Sequence, residues 1–186
     1  MINEISVRPK PSNNKAKISF IVFMALFAFG TVAYLVMRYM KVEKSGLVGF
    51  IPLVSVTVAV FFYNKYLSGG YTYQVTFDSA GTPLFLITQT VGNRISTLCR
   101  VALFEIVKIE EETYSEMKAH KTPADHRRYV YLPTYLPSRV YRITSRSRYE
   151  RSEIVIECSE EYADLLRKFV AEAREMQTTI DENDEY

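Results

Sequence analysis

Two long apolar runs dominate the first third of the chain. Ile18–Met37 and Leu47–Tyr63 contain no charged residue, and a short charged link separates them. About 20 apolar residues is the length that an α-helix needs to cross the hydrocarbon layer of a membrane. Neither run has the polar face of a surface helix in a soluble protein. The pattern therefore predicts a two-helix transmembrane hairpin over residues 18–66.

Two other interpretations of these runs stay open. The first run resembles a cleaved signal peptide with a cleavage site near Ala28–Gly30, but the apolar residues continue beyond that point and a second run follows. Both runs could instead be buried helices of a soluble protein, although helices without a polar face argue against this.

Basic residues around the hairpin predict its orientation. A hairpin places both tails on one side of the membrane, and the flanking segments of those tails carry five cations against three in the link. Cytoplasmic segments tend to be the more basic ones. We therefore expect a multi-pass protein of the bacterial inner membrane with cytoplasmic N- and C-termini. The tail cations are Arg8, Lys10, Lys15, Lys17 and Lys65, and the link cations are Arg38, Lys41 and Lys44.

The pattern changes after the hairpin to short alternating segments rich in aromatic and β-branched residues, which is typical of strands. A helical stripe then begins after Ser159, which is a favourable N-cap residue. These features predict an α+β soluble domain over residues 71–176, an antiparallel β-barrel or sandwich capped by a C-terminal helix. The predicted strands are Tyr71–Phe77, Leu84–Val91, Arg94–Val101, a segment within Leu103–Glu112, Tyr129–Tyr135, Arg139–Ser145 and Arg151–Cys158.

Three segments predict irregular structure. Residues 1–17 contain two prolines and several cations, which indicates an extended basic arm beside the membrane. The polar segment Thr113–Arg128 predicts a long loop. Residues 177–186 are acidic and indicate a disordered tail.

Several short motifs give the soluble domain a family resemblance. They are Tyr71–Thr76, Leu84–Thr88, Gly92–Arg94, Cys99-Arg100, Val107–Ile109 and the arm segment Arg8–Ser12. Together they resemble uncharacterised two-helix membrane proteins of Gram-positive bacteria that carry a bacterial PH-like domain. The resemblance implies a PH-like fold in a cell-envelope protein and supplies no catalytic residues. The first strand–strand loop, Asp78–Pro83, lacks the cations with which lipid-binding PH domains usually recognise phosphoinositides, so that route is not expected here.

Charge and cysteine content narrow the class of protein. Residues 1–64 carry a net charge of +5 and residues 65–186 a net charge of −3. A nucleic-acid-binding domain would be strongly basic, so we expect no nucleic-acid partner. Cys99 and Cys158 form no C-x-x-C pair and predict two buried reduced thiols, as suits a cytoplasmic domain. A disulfide between them would instead indicate the opposite topology.

The sequence offers no catalytic or metal-binding motif. His120 and His126 are the only histidines, and their spacing in a polar segment does not provide the geometry of a metal site. Nucleophile-elbow, zinc-protease and phosphate-loop motifs are missing from the sequence. We therefore expect neither an enzyme nor a cofactor or metal site, and the absence of charged residues from the two apolar runs argues against transport.

The most informative polar feature is a basic stretch from Lys118 to Arg151 with nine cations and two acids. One interpretation pairs its arginines across the sheet with the five glutamates of Glu105–Glu116. The other is a basic face that binds anionic lipid or an acidic protein partner, which predicts a binding or scaffolding module. The candidate residues are Arg127, Arg128, Arg139, Arg142, Arg146, Arg148 and Arg151.

An alternative function places the recognition surface in the hairpin. Small residues in transmembrane helices permit close helix contacts. Such contacts would make the protein a structural subunit of a larger membrane complex. The residues concerned are Gly30, Gly49, Ser55 and Thr57.

Overall fold

The computed structural model describes residues 4–9, 13–42, 45–147 and 150–184 of the 186-residue chain, and it describes only the backbone of residue 45 and of residues 179–184. The chain divides into two compact units. One unit is Pro11–Gly69, and the other joins Met1–Lys10 to Gly70–Tyr186.

The first unit is a pair of apolar helices. Helix α1 spans Asn14–Tyr39, and the return path consists of α2 (Ser45–Val48), α3 (Phe50–Phe62) and a π-helical turn (Tyr63–Leu67). The segments Asn14–Tyr39 and Gly46–Leu67 are each long and apolar enough to cross a membrane. The predicted pair of apolar helices is therefore confirmed, with α1 beginning four residues before the apolar run.

Small residues let the two helices approach closely. A methyl group at Gly30 would lie 3.2 Å from Pro52 Cδ, and one at Gly49 would lie 3.2 Å from the Tyr34 ring. Ser55 faces the same packed interior and is only 5% exposed. Three of the four residues that the sequence offered as contacts to a partner complex are therefore packed within the hairpin itself. The fourth, Thr57, is exposed, and its hydroxyl donates to the Leu53 carbonyl at 2.8 Å.

The described residues of the second unit form two four-stranded sheets. Sheet A has the order β1-β2-β3-β4, and sheet B has the order β5-β7-β8-β6. The strands are β1 (Ile5–Val7), β2 (Gly69–Phe77), β3 (Pro83–Val91), β4 (Arg94–Ala102), β5 (Ile106–Thr113), β6 (His126–Tyr131), β7 (Arg139–Arg146) and β8 (Arg151–Ile156).

Two features of these sheets bear on the sequence prediction. The sequence left a barrel and a sandwich open, and the described strands form two separate sheets with no closed barrel. Strand β6 begins three residues earlier than predicted and pairs in parallel with β8, whereas an all-antiparallel arrangement was expected. A parallel pair requires a crossover between distant segments, which local patterning does not reveal.

The N-terminal arm contains a strand that the sequence analysis missed. Ile5–Val7 pairs with Tyr73–Val75 at the edge of sheet A. Apolar and polar residues alternate here over only three positions. A pattern this short does not distinguish a strand from an extended arm. The arm therefore adds an edge strand to the second unit.

One hydrophobic core lies between the inner faces of the sheets and helix α5, which spans Glu160–Asp184. The Ser159 hydroxyl accepts a hydrogen bond from the Tyr162 amide at 3.3 Å, which confirms the predicted N-cap. The helix continues to Asp184, so the acidic segment predicted as disordered is helical beyond residue 176. The α5 side chains in the core are Tyr162, Ala163, Leu166, Phe169, Val170 and Ala173.

A short helix covers the outer face of sheet B. Helix α4 (Tyr114–Ala119) lies in the segment predicted to be a loop, and the Thr113 hydroxyl caps it by accepting from the Glu116 amide at 3.2 Å. The Glu116 carboxylate accepts from the Thr113 amide at 2.8 Å, which completes a capping box. Met117 packs on Val140 and Val155 in a second, smaller core. Sheet B is therefore buried on both faces over part of its width.

Candidate functional site

Three of the predicted arginines meet at one end of sheet B. Arg127 lies at the start of β6, Arg146 at the end of β7 and Arg151 at the start of β8. The strand register places Arg151 directly between His126 and Arg146. The side chains of His126, Arg151 and Arg146 therefore form one row across the sheet. The parallel pairing of β6 with β8 creates this row, because it brings the beginnings of both strands together.

The row borders an open cleft of about 500 Å³, which we call the basic cleft. Its lining is predominantly polar and comes from the segment before β6, the ends of three strands and the β7–β8 turn. The lining residues are Ala124, Asp125, His126, Arg127, Arg146, Ser147, Glu150 and Arg151.

Two carboxylates partly neutralise the basic cleft. Asp125 accepts from Arg151 Nη1 at 2.9 Å and contacts His126 Nδ1 at 3.0 Å. The hydrogen bond with His126 is the main reason that the pKa of Asp125 lies below its ordinary value, and nearby Arg151 lowers it further. Glu150 contacts Arg127 Nε at 3.5 Å and accepts from the Tyr129 hydroxyl.

Arg146 differs from the other two cleft arginines. Its side chain is exposed, and no carboxylate in the described part of the chain forms an ion pair with it. Its direct cross-strand neighbour is another arginine, Arg151. The three arginines and two carboxylates of the lining give the basic cleft a formal net charge of +1, with His126 left out of the count.

Arg142 lies instead in a buried ionic network on the outer face of sheet B. Its side chain is 12% exposed and contacts Glu112 at 2.6 Å, Glu110 at 3.0 Å and Glu153 at 3.7 Å. His120 contacts both Arg142 and Glu153. This part of the basic stretch therefore follows the cross-strand pairing interpretation, and Arg142 is a structural residue.

Arg128 and Arg139 also lie outside the basic cleft. Arg128 donates to the carbonyls of Met117 and His120, at 2.8 and 3.2 Å, and so closes the C-terminal end of α4. Arg139 is at the opposite end of β7 from Arg146, about 23 Å away along an extended strand. There it pairs with Glu111 and Glu160. Arg148 lies outside the described residues.

Comparison of the chain with protein-family models, with curated proteins and with solved structures gives no match.

Sequence reasoning missed the roles of Asp125, His126 and Glu150. His126 was assigned to a solvated loop because its neighbours are polar, whereas the structure places it at the start of a strand. The available signal was the adjacent pair Asp125-His126 ahead of an alternating segment. Ser147 lies in the same cleft, but among the described contacts none joins it to His126, as a serine nucleophile and its base would require.

Proposed function

We propose that this protein is a membrane-anchored binding module whose basic cleft binds anionic lipid head groups. The observation that carries the proposal is the direct cross-strand pairing of Arg146 with Arg151. Like charges directly opposite each other destabilise a sheet. A bound anion between the two guanidinium groups would replace this repulsion with two attractive interactions.

The chemistry of the cleft suits a phosphate group. Arginine presents several N–H donors in a fixed planar arrangement that matches the oxygens of phosphate. Arg127, Arg146 and Arg151 come from three different strands, so their backbones are held in place before a ligand arrives. Each cation near an anionic membrane surface contributes about 1 kcal/mol.

The proposed membrane setting is the cytoplasmic face of a bacterial inner membrane. Two helices long and apolar enough to cross a membrane support the anchor. Strand β1 precedes this hairpin, β2 follows it, and the two strands pair in one sheet. This pairing suits a hairpin whose two ends emerge on the same side. The excess of basic residues in the tails favours the cytoplasmic side.

We further propose that the second unit is a PH-like domain. Its two sheets share one core with a C-terminal helix that begins directly after the last strand, which supports this assignment. The parallel β6–β8 pair and the added strand β1 distinguish it from a simple antiparallel PH-like arrangement.

The test is co-flotation of the full-length protein with vesicles. Nanodiscs of phosphatidylcholine carrying the protein are mixed with liposomes of phosphatidylcholine alone or of phosphatidylcholine with phosphatidylglycerol. We expect the protein to float with the anionic liposomes, and the Arg146→Gln/Arg151→Gln double variant to do so much less. Added salt should weaken the interaction because it screens exposed charges.

The matched control is Arg139→Gln, which removes an exposed arginine from the same strand, β7, outside the cleft. This variant should float like the native protein. Because Arg139→Gln removes one charge and the double variant removes two, a loss in Arg139→Gln half as large as that in the double variant would show that only net charge matters. Equal flotation with both kinds of liposome would refute lipid binding. Binding of the native protein to an acidic peptide but not to liposomes would assign the cleft to a protein partner.

A further inference from the structure

Strand β4 has an unusually exposed environment. It is nine residues long, forms the outer edge of sheet A and pairs with β3. From Arg94 to Leu98 every residue is exposed, so both faces of the strand lie open there. Ile95 is 73% exposed and Leu98 38% exposed. Among the described residues, no strand covers the free edge of β4.

The other sheet edges are protected in ways that β4 is not. Strand β1 is only three residues long, and short edge strands resist further pairing. At the β5 edge, Arg174 donates to the carbonyls of Ile106 and Val107. Strand β6 is six residues long, three residues shorter than β4. A long edge with exposed apolar residues is a ready template for another strand. The register shift at Leu98 confines the regular part of this edge to the residues before it.

The charge of the β3–β4 hairpin indicates what kind of strand would fit. From Gly81 to Phe104 the sequence contains two arginines, Arg94 and Arg100, and no carboxylate. Arg100 approaches Asp78 at 3.8 Å, whereas no described residue forms an ion pair with Arg94. A second copy of β4 would bring two arginine-bearing edges together, so like charges disfavour self-pairing.

The strand register defines the two faces that such a strand would meet. Ile95 is opposite Thr90 and Thr97 is opposite Thr88, so Ile95 and Thr97 share one face. Arg94 lies on the other face. The Leu98 carbonyl accepts from the Tyr131 hydroxyl at 3.3 Å, which limits the open edge to the residues before it.

We propose that the β4 edge binds an extended acidic segment of a partner protein by strand addition. Main-chain hydrogen bonds to β4 would supply affinity, as in other complexes in which a peptide extends a sheet. Carboxylates of the segment would meet Arg94, and apolar residues on its other face would cover Ile95. This surface is separate from the basic cleft and does not depend on the lipid proposal.

The experiment uses the full-length protein in phosphatidylcholine nanodiscs and a synthetic peptide of alternating glutamate and valine residues. Fluorescence anisotropy should show saturable binding of this peptide, and a lysine–valine peptide should not bind. Arg94→Glu should weaken binding roughly tenfold, because it replaces an attraction by a repulsion, and Ile95→Thr should weaken it less. The cleft variant Arg146→Gln/Arg151→Gln should keep the native affinity.

Backbone methylation tests strand addition itself. Methylating the amides on one edge of the peptide should abolish binding, whereas methylating those on the other edge should leave it intact, because a strand pairs through one edge. Equal binding of both methylated peptides, or loss of affinity in the cleft variant alone, would overturn the proposal. Failure of the peptide to bind together with concentration-dependent association of the protein would identify a second copy as the occupant.

Discussion

Removing Arg142 should destabilise the second unit more than removing any exposed arginine. In Arg142→Met the apolar stem is kept, but the two most buried carboxylates of the network, Glu112 at 14% and Glu153 at 5% exposure, lose their cation. Breaking a buried ion pair by removing one partner costs about 3–5 kcal/mol. Since whole domains are stable by only about 5–15 kcal/mol, the loss is a large share of the total.

The assay is urea unfolding of the full-length protein in detergent, followed by near-ultraviolet circular dichroism of its tyrosines. Arg139→Gln is the control, because Arg139 is 63% exposed and its pairs are worth at most about 1 kcal/mol. Arg142→Met/Glu153→Gln should recover part of the loss, since one stranded charge is gone. If Arg142→Met is no less stable than Arg139→Gln, the buried network does not hold the outer face of sheet B.

Two further substitutions and one alkylation experiment probe other parts of the chain. Thr113→Ala should cost about 1 kcal/mol and speed amide exchange in α4, because the capping box is lost. Alkylation of Cys99 by iodoacetamide should be slower in the folded than in the urea-unfolded protein and should keep rising above about pH 9, because burial raises the pKa of this thiol to about 11. Gly30→Leu should separate the helices of the hairpin, since a methyl group there already lies 3.2 Å from Pro52. Cross-linking between cysteines placed at Phe23 and Phe62, whose rings are 6.0 Å apart, should then decrease.

Elements whose signal lies within one segment were predicted well. The apolar helices, the strands from Tyr71 to Ala102 and the start of α5 at Ser159 follow from local periodicity and capping residues. Helix α4 carried a readable signal as well, because Thr113 and Glu116 have capping-box spacing. Because the segment is polar, it was predicted to be a loop.

The sequence alone determined that this chain has two membrane-length apolar helices and an α+β unit with a basic stretch, because hydrophobic period and charge are local properties. It did not determine which arginines act together. Only the tertiary structure placed Arg151 between His126 and Arg146, and surrounded Arg142 with glutamates from two other strands. Strand order and register join residues far apart in the chain. A cation becomes a buried structural group or a binding group according to the strands that lie beside it.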